Sequence, residues 1–377
     1  MTRGNRARAD QAGATRTIAP RLIAIDMDGT LLGSDSQISP RNHAALLAAE
    51  AAGIEVVIAT GRRHSYAMRI LRPLGLHHAG ALISSNGTVT RTVGSFGAAP
   101  IASQLITRTH LSQATTLWLC GHLDEYRNAL VLTFDRVGSD GDDTRGALVV
   151  EHLDELNTSI GRWMAANEPY IAHINPIEQA LAPNALDDLS NPSDPMLNTP
   201  IQAMLCGTVE RMAQAEARLL EHPGVQASDH ASGRSGKTVN ATPGLTQIQG
   251  APLMTVPSSW VGSTDIAASH PIITLHRTVY PDRDLSILDI LPPNCSKGAA
   301  ILSHAATRNI DPSEILAIGD NWNDVSMLEI AGHAVLMDNA PEDLKAIART
   351  SGWSIGLANT ADGVAEAIES LLTVACL

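Results

Sequence analysis

Short apolar runs alternate, at both ends of the chain, with stretches whose apolar positions recur at helical spacing, the pattern of buried parallel strands joined by helices. Leu22 to Ile25, Ile54 to Ala59, Ala81 to Ser85, Ile315 to Ile318 and Ala334 to Met337 are the strand-length runs. Helices are predicted between and after them at Asn42 to Ala52, Ser65 to Leu74, Ala299 to Arg308, Glu342 to Thr350 and Ala361 to Leu372. The first of these carries its own punctuation, with Ser39 as N-cap, Pro40 at the first helical position and Gly53 as the stop. Residues 20–92 and 283–377 are therefore expected to build one α/β domain around a parallel sheet.

Residues 93–282 read differently. Helical spacing over Leu111 to Asp124 and Val209 to Glu221 is mixed with strand runs at Ala129 to Phe134, Ile201 to Cys206 and His270 to Tyr280. This predicts an inserted α+β domain with antiparallel strands; Leu285 to Leu291, just past the boundary, reads as its last strand. Poorly patterned stretches at about 138–146, 183–200 and 226–262 read as long loops. Met1 to residue 19 reads as a disordered tail. Its arginines, Arg3, Arg6, Arg8 and Arg16, outnumber the single acid Asp10, which leaves a targeting segment as the other reading.

Composition narrows the partners. With a formal net charge of −13, the chain lacks the basic surface that nucleic acid or an anionic membrane requires. No apolar run reaches the length of a membrane span. The 377 residues and 44% hydrophobic content suffice for two packed cores. Cys120, Cys206, Cys295 and Cys376 are widely spaced, which points to neither zinc nor a disulfide framework and fits a reducing cytoplasm. The expected state is a monomer or homodimer acting on a small molecule.

The candidate chemistry lies where predicted strands end, the edge at which open α/β sheets bind ligands. Leu22 to Ile25 runs into Asp26-Met-Asp28-Gly29-Thr30, so two carboxylates reach one small volume. Like charges so placed call for a cation, and oxygen ligands suit Mg²⁺. The second strand ends in Thr60-Gly61-Arg62, which supplies a hydroxyl, a flexible backbone and a cation. Lys297 lies at a helix start, where the macrodipole disfavours cations, so it is expected to face carboxylates or a phosphate. Ile315 to Ile318 leads into Gly319-Asp320-Asn321-Trp322-Asn323-Asp324, a second acidic cluster able to share a metal with Asp26. Ala231 to Thr238 approximates a phosphate-binding P-loop around Lys237, but lacks the flanking strand and helix that such a loop needs.

Together these residues resemble the haloacid dehalogenase superfamily, in its Cof-type branch with a type IIB cap. The matching pieces are Asp26-Met-Asp28-Gly-Thr30, Thr60-Gly-Arg62, Ser84-Ser-Asn86-Gly87, Ser296-Lys297-Gly298 and Gly319-Asp320-Asn-Trp-Asn323-Asp324. Met327-Leu328, Ala331-Gly332, Asp338-Asn339-Ala340-Pro341 and Asp362-Gly363-Val364-Ala365 extend the match. The resemblance implies a Rossmann-like, doubly wound core with an inserted cap. It implies Asp26 as nucleophile, Asp28 as general acid and base, and Lys297 as the cation steadying both nucleophile and phosphoryl group. Mg²⁺ would be held by Asp26, Asp28 and Asp320, with Asp324 orienting Lys297 or a metal-bound water. Thr60, Gly61, Arg62, Asn86 and Asn323 would bind substrate. The expectation is a phosphatase that hydrolyses a sugar phosphate or related phosphomonoester through an aspartyl-phosphate. A phosphomutase of the same cap class and a catalytically retired binding protein are the alternatives.

Overall fold

The computed structural model describes residues 19–74, 80–92, 104–138, 141–182, 185–186, 198–227, 271–280 and 283–375. The expected tail up to residue 18, the P-loop-like segment around Lys237 and most of the loops expected at 183–200 and 226–262 lie outside the described residues.

The N-terminal part runs β1 (Leu22–Ile25), α1 (Pro40–Ala51), β2 (Glu55–Ala59), α2 (His64–Leu71), β3 (Ala81–Ser84), β4 (Val89–Thr92) and β5 (Leu105–Arg108). After the insert the chain returns through α6 (Lys297–Thr307), β13 (Ile315–Gly319), α7 (Val325–Ile330), β14 (His333–Leu336), α8 (Glu342–Ser351), β15 (Ser354–Ile355) and α9 (Gly363–Ala375). These strands form one sheet in the order β15-β14-β13-β1-β2-β3-β4-β5, parallel from β15 to β3 and antiparallel beyond. β1 thus lies between β2 and β13, and the three segments leaving their carboxyl ends are neighbours. Alternation along β1 sends Ile23 and Ile25 into the layer containing α1 residues, and Leu22 and Ala24 into the layer containing α6 residues.

The insert comprises α3 (Gln113–His122), β6 (Leu130–Thr133), β7 (Leu148–Val150), α4 (Asp154–Asn167), β8 (Ile171–His173), β9 (Gln202–Gly207), α5 (Val209–Leu219), β10 (Val225–Ala227), β11 (Ile273–Tyr280) and β12 (Leu285–Leu291). Its sheet has the order β10-β11-β12-β9-β6-β7-β8. One face packs against α3 and α5; the other carries α4 at one side.

Strand pairing shifts the expected domain limits at two places. Leu105–Arg108, assigned with 93–282, pairs with β4 in the first sheet, whereas Leu285–Leu291, past the limit at 282 but read as the insert's last strand, does pair with β9 and β11 in the second. The reason is local. β11 and β12 are a hairpin and must share a sheet, so the break falls after Leu291, at Pro292-Pro293. The expected antiparallel order holds for most of this sheet, but β7 with β8 and β10 with β11 are parallel. Helix α4 was absent from the expectation because its repeat is broken, with Ile160 at φ −132° next to Gly161.

Candidate active site

The site grows from three adjacent strand ends. Asp26 follows β1, and its backbone N–H donates to the Ile318 carbonyl of β13 at 3.0 Å, which fixes it beside Asp320. The turn after it depends on Gly29, whose φ is +80°. A Cβ at Gly29 would lie 2.3 Å from an Asp320 carboxylate oxygen, so only glycine lets the two segments approach. Across the sheet, Gly87 has φ +101°, and a Cβ there would meet the Ser296 carbonyl at 2.3 Å. That close contact seats the start of α6 against the loop after β3.

Lys297 is the first residue of α6, with Ser296 accepting the Ala299 N–H as the cap. Its fully buried ammonium donates to Asp26 Oδ1 at 2.5 Å and to Asp324 Oδ1 at 2.6 Å. The other oxygen of Asp324 accepts the backbone N–H groups of Asp320 and Asn321, at 2.9 and 3.0 Å. Both oxygens of Asp324 are thereby engaged, with three donors in all. Asp26 has Lys297 as its one side-chain partner among the described residues, and Asp320 accepts from Thr30 at 2.9 Å and from Asn339 at 3.3 Å.

The carboxylates of Asp26, Asp320 and Asp324 offer oxygens within 4.8 Å of one another. Three acids around one ammonium leave excess negative charge in a buried place. Burial and then Asp324 push the Asp26 pKa well above its usual range, against the pull of Lys297. Burial and Asp324 likewise lift Asp320 to about 7, against Thr30 and Lys297. Burial opposes the Lys297 charge, but Asp26 and Asp324 outweigh it and raise its pKa. An all-oxygen, electron-rich cluster with unused lone pairs on Asp26 and Asp320 fits a divalent cation such as Mg²⁺.

Asp28 stands apart from this cluster. Its side chain is 52% exposed and bound by both Nε and Nη2 of Arg62, the former at 2.6 Å. The expectation that Asp26 and Asp28 share one volume assumed that strand pleating continues; β1 ends at Ile25, and the Gly29 turn releases Asp28 toward β2. Thr60 is fully buried and accepts the Arg62 N–H at 3.1 Å, shaping the loop rather than lining open space.

A cleft of about 550 Å³ lies between the two sheets. Asp26, Asp28, Gly61, Arg62, Asn86, Asp320 and Asn323 line its first-domain wall, while Thr60, Lys297 and Asp324 are buried. Asn86 connects the walls: its Nδ2 donates to Asp289 of β12 at 3.1 Å, and its Oδ1 accepts from Asn323 at 3.3 Å. Gln202 of β9 also donates to Asp289, at 2.5 Å. Arg63, also on the cleft wall, is paired with Asp143 and bonded to Asn167. Sequence reading missed Asp289, Gln202 and Arg63. Adjacency to Arg62 was a signal for Arg63; the other two acquire meaning only through sheet pairing.

The haloacid dehalogenase-like hydrolase family matches residues 23–131 and 276–368, more than half of the chain. The chain is 27% identical over 350 residues to the chloroplastic endoribonuclease YBEY of Arabidopsis thaliana, covering 92% of this chain but only 45% of that protein. It is 27% identical over 362 residues to phosphatase YwpJ of Bacillus subtilis, covering 93% of this chain and 100% of that one. A solved structure of the HAD subclass IIB sugar phosphatase BT4131 shares the fold with a TM-score of 0.58 at 16% identity, over 94% of this chain and 99% of that one. With two sheets facing across the acidic cluster and a family match over the strand ends that build it, the chain belongs to the haloacid dehalogenase-like hydrolases.

Proposed function

We propose that this chain is a Mg²⁺-dependent phosphatase that hydrolyses a small phosphomonoester, such as a sugar phosphate, through an aspartyl-phosphate on Asp26. The observation that supports this most is Lys297 Nζ held between Asp26 and Asp324 at 2.5 and 2.6 Å, with Asp320 in the same cluster. Attack by a carboxylate on a phosphate dianion at about 4 Å is opposed by roughly 8 kcal/mol, taking about 4 kcal/mol per pair of unit charges. Asp26 and Asp320 would hold Mg²⁺, whose charge, when bound, offsets that repulsion.

The chain's own groups supply the rest. Lys297 keeps one oxygen of Asp26 fixed and leaves the other for phosphorus; Asp324 fixes Lys297 in turn. As the Asp26–phosphorus bond forms, the ester P–O bond breaks and Asp28, which must first part from Arg62 and take up a proton from water, gives that proton to the departing alcohol. Asp28 then takes a proton from water, which attacks phosphorus and releases Asp26 and inorganic phosphate. Arg62 sits against Asp28, stacks over Tyr66 at 4.5 Å and lines the same cleft as Asp26. Thr60, Gly61 and Asn323 shape the remaining phosphate pocket, and Asn86 ties it to the cap. None of the helices described is long and apolar enough to cross a membrane, and the reading places the enzyme in the cytoplasm.

A phosphate-release screen over phosphomonoesters, with Mg²⁺ and with EDTA, tests the proposal. Turnover that needs Mg²⁺ and falls at least about 1,000-fold in Asp26→Asn is expected. Release that is indifferent to both would contradict it.

A further inference from the structure

We infer that Asp289 selects the leaving group: its carboxylate receives hydrogen bonds from a polyhydroxylated alcohol and turns away substrates that carry a second phosphate. This rests on the phosphatase reading above and narrows its substrate class.

The cap wall of the cleft is a sheet face. Asp289 lies on β12 directly opposite Met204 of β9, and Gln202 sits two residues along the same face. Ile287 and Leu148 line the same wall. Among the described residues, the cap side of the cleft is lined by one charged group, Asp289, and by no lysine or arginine. Arg62 and Arg63 line it from the other domain, but each is already paired, with Asp28 and Asp143.

Asp289 is held in place by donors from two domains. Asn86 Nδ2 donates to its Oδ2 at 3.1 Å, and Gln202 Nε2 to its Oδ1 at 2.5 Å. A carboxylate offers about four lone-pair sites, so these two bonds fix its orientation and leave room for two more donors. Hydroxyl groups provide such donors, while the apolar side chains of Met204, Ile287 and Leu148 suit the C–H face of a carbon skeleton. A second phosphate would instead meet a fixed negative charge in a partly desolvated cleft, with no lysine or arginine among the described cap residues that line it. Burial holds the Asp289 pKa up, to about 6, against Gln202 and Asn86, which leaves it anionic at neutral pH. The same feature argues against the phosphomutase alternative, since a mutase must hold a sugar bisphosphate across this cleft.

The test is the ratio of kcat/KM for sorbitol 6-phosphate to that for fructose 1,6-bisphosphate, measured in the full chain with Mg²⁺ for wild type, Asp289→Asn, Asp289→Ser and Asp289→Glu. A ratio taken within one variant cancels any general loss of rate or of folded protein. The ratio should favour sorbitol 6-phosphate in wild type, fall at least about tenfold in the Asn and Ser variants, and stay within about threefold of wild type in the Glu variant. A wild-type preference for the bisphosphate, or a ratio unmoved in both neutral variants, would overturn the assignment. Wild type that releases no phosphate from p-nitrophenyl phosphate in Mg²⁺ would sink the phosphatase reading itself, and the assignment with it.

Discussion

At the scale of single residues, the site is a problem in charge. Among the described residues, Lys297 is the one cation paired within the cluster of Asp26, Asp320 and Asp324, and it is fully buried. Lys297→Met would leave those acids uncompensated, which costs about 3–5 kcal/mol for a broken buried pair. Thermal unfolding should show that loss in EDTA and partial recovery in Mg²⁺, while phosphate release stays at least about 100-fold below wild type. A melting temperature equal to wild type in EDTA would contradict the buried cluster. These residues were visible in the sequence because Asp26 and Asp320 stand where apolar runs end and Lys297 stands at a helix start, where a cation is out of place. Asp28 shows the limit: a spacing of two residues suggests a shared face, but the strand had already ended at Ile25 and Arg62 claims the side chain. Asp289 shows another, since its partners Asn86 and Gln202 lie 203 and 87 residues away.

At the scale of elements, two ion clusters join cap to core. Asp135, just past β6, accepts from both Nη atoms of Arg91 on β4 at 2.8 and 2.6 Å and from Arg108 on β5 at 3.2 Å. Burial raises the Asp135 pKa, but these arginines outweigh it and the pKa is lowered. A folded pKa below the unfolded one, about 3.9, means that the stabilisation is complete above that value and is lost as pH falls through the folded pKa. Asp135→Asn should therefore narrow the difference in unfolding free energy between pH 7 and pH 3; an unchanged pH dependence would refute this. The second cluster is Arg63 with Asp143 and Asn167, at the start of α2. Burial lowers the Arg63 pKa and raises that of Asp143, so desolvation dominates this pair. Arg63→Met should destabilise by about 3 kcal/mol or more, and Arg63→Met with Asp143→Asn by less, because the double change leaves no lone buried charge. A double variant worse than the single one would contradict that reasoning. The longer helices and strands of the core were legible from periodicity. Three-residue strands such as β7, β8 and β10 were not, since alternation needs more positions to register.

At the scale of the whole molecule, the order of strands does the assembling. Placing β1 between β2 and β13 draws Asp26, Thr60 and Asp320 from positions far apart in sequence to one edge, and the antiparallel β4 and β5 lead out to the cap that roofs it. Motif order made the core topology legible, and Leu285–Leu291 was legible as the insert's last strand, whereas Leu105–Arg108 gave no sequence signal that it joins the first sheet. A cation bound between the strand ends should stabilise the whole fold by mass action, about 2.7 kcal/mol at a concentration 100 times its Kd. Mg²⁺ should accordingly raise the melting temperature of wild type and not of Asp320→Asn; equal shifts in both would place the cation elsewhere. The central claim is that phosphorus passes to Asp26, and reductive trapping addresses it most directly. Enzyme turning over substrate in Mg²⁺ is quenched in acid, reduced with borohydride and mapped by peptide mass spectrometry. The account predicts homoserine in place of aspartate at position 26, and none in enzyme quenched without substrate. Trapping at another acid, or no trapped residue in enzyme that is releasing phosphate in a burst, would contradict it.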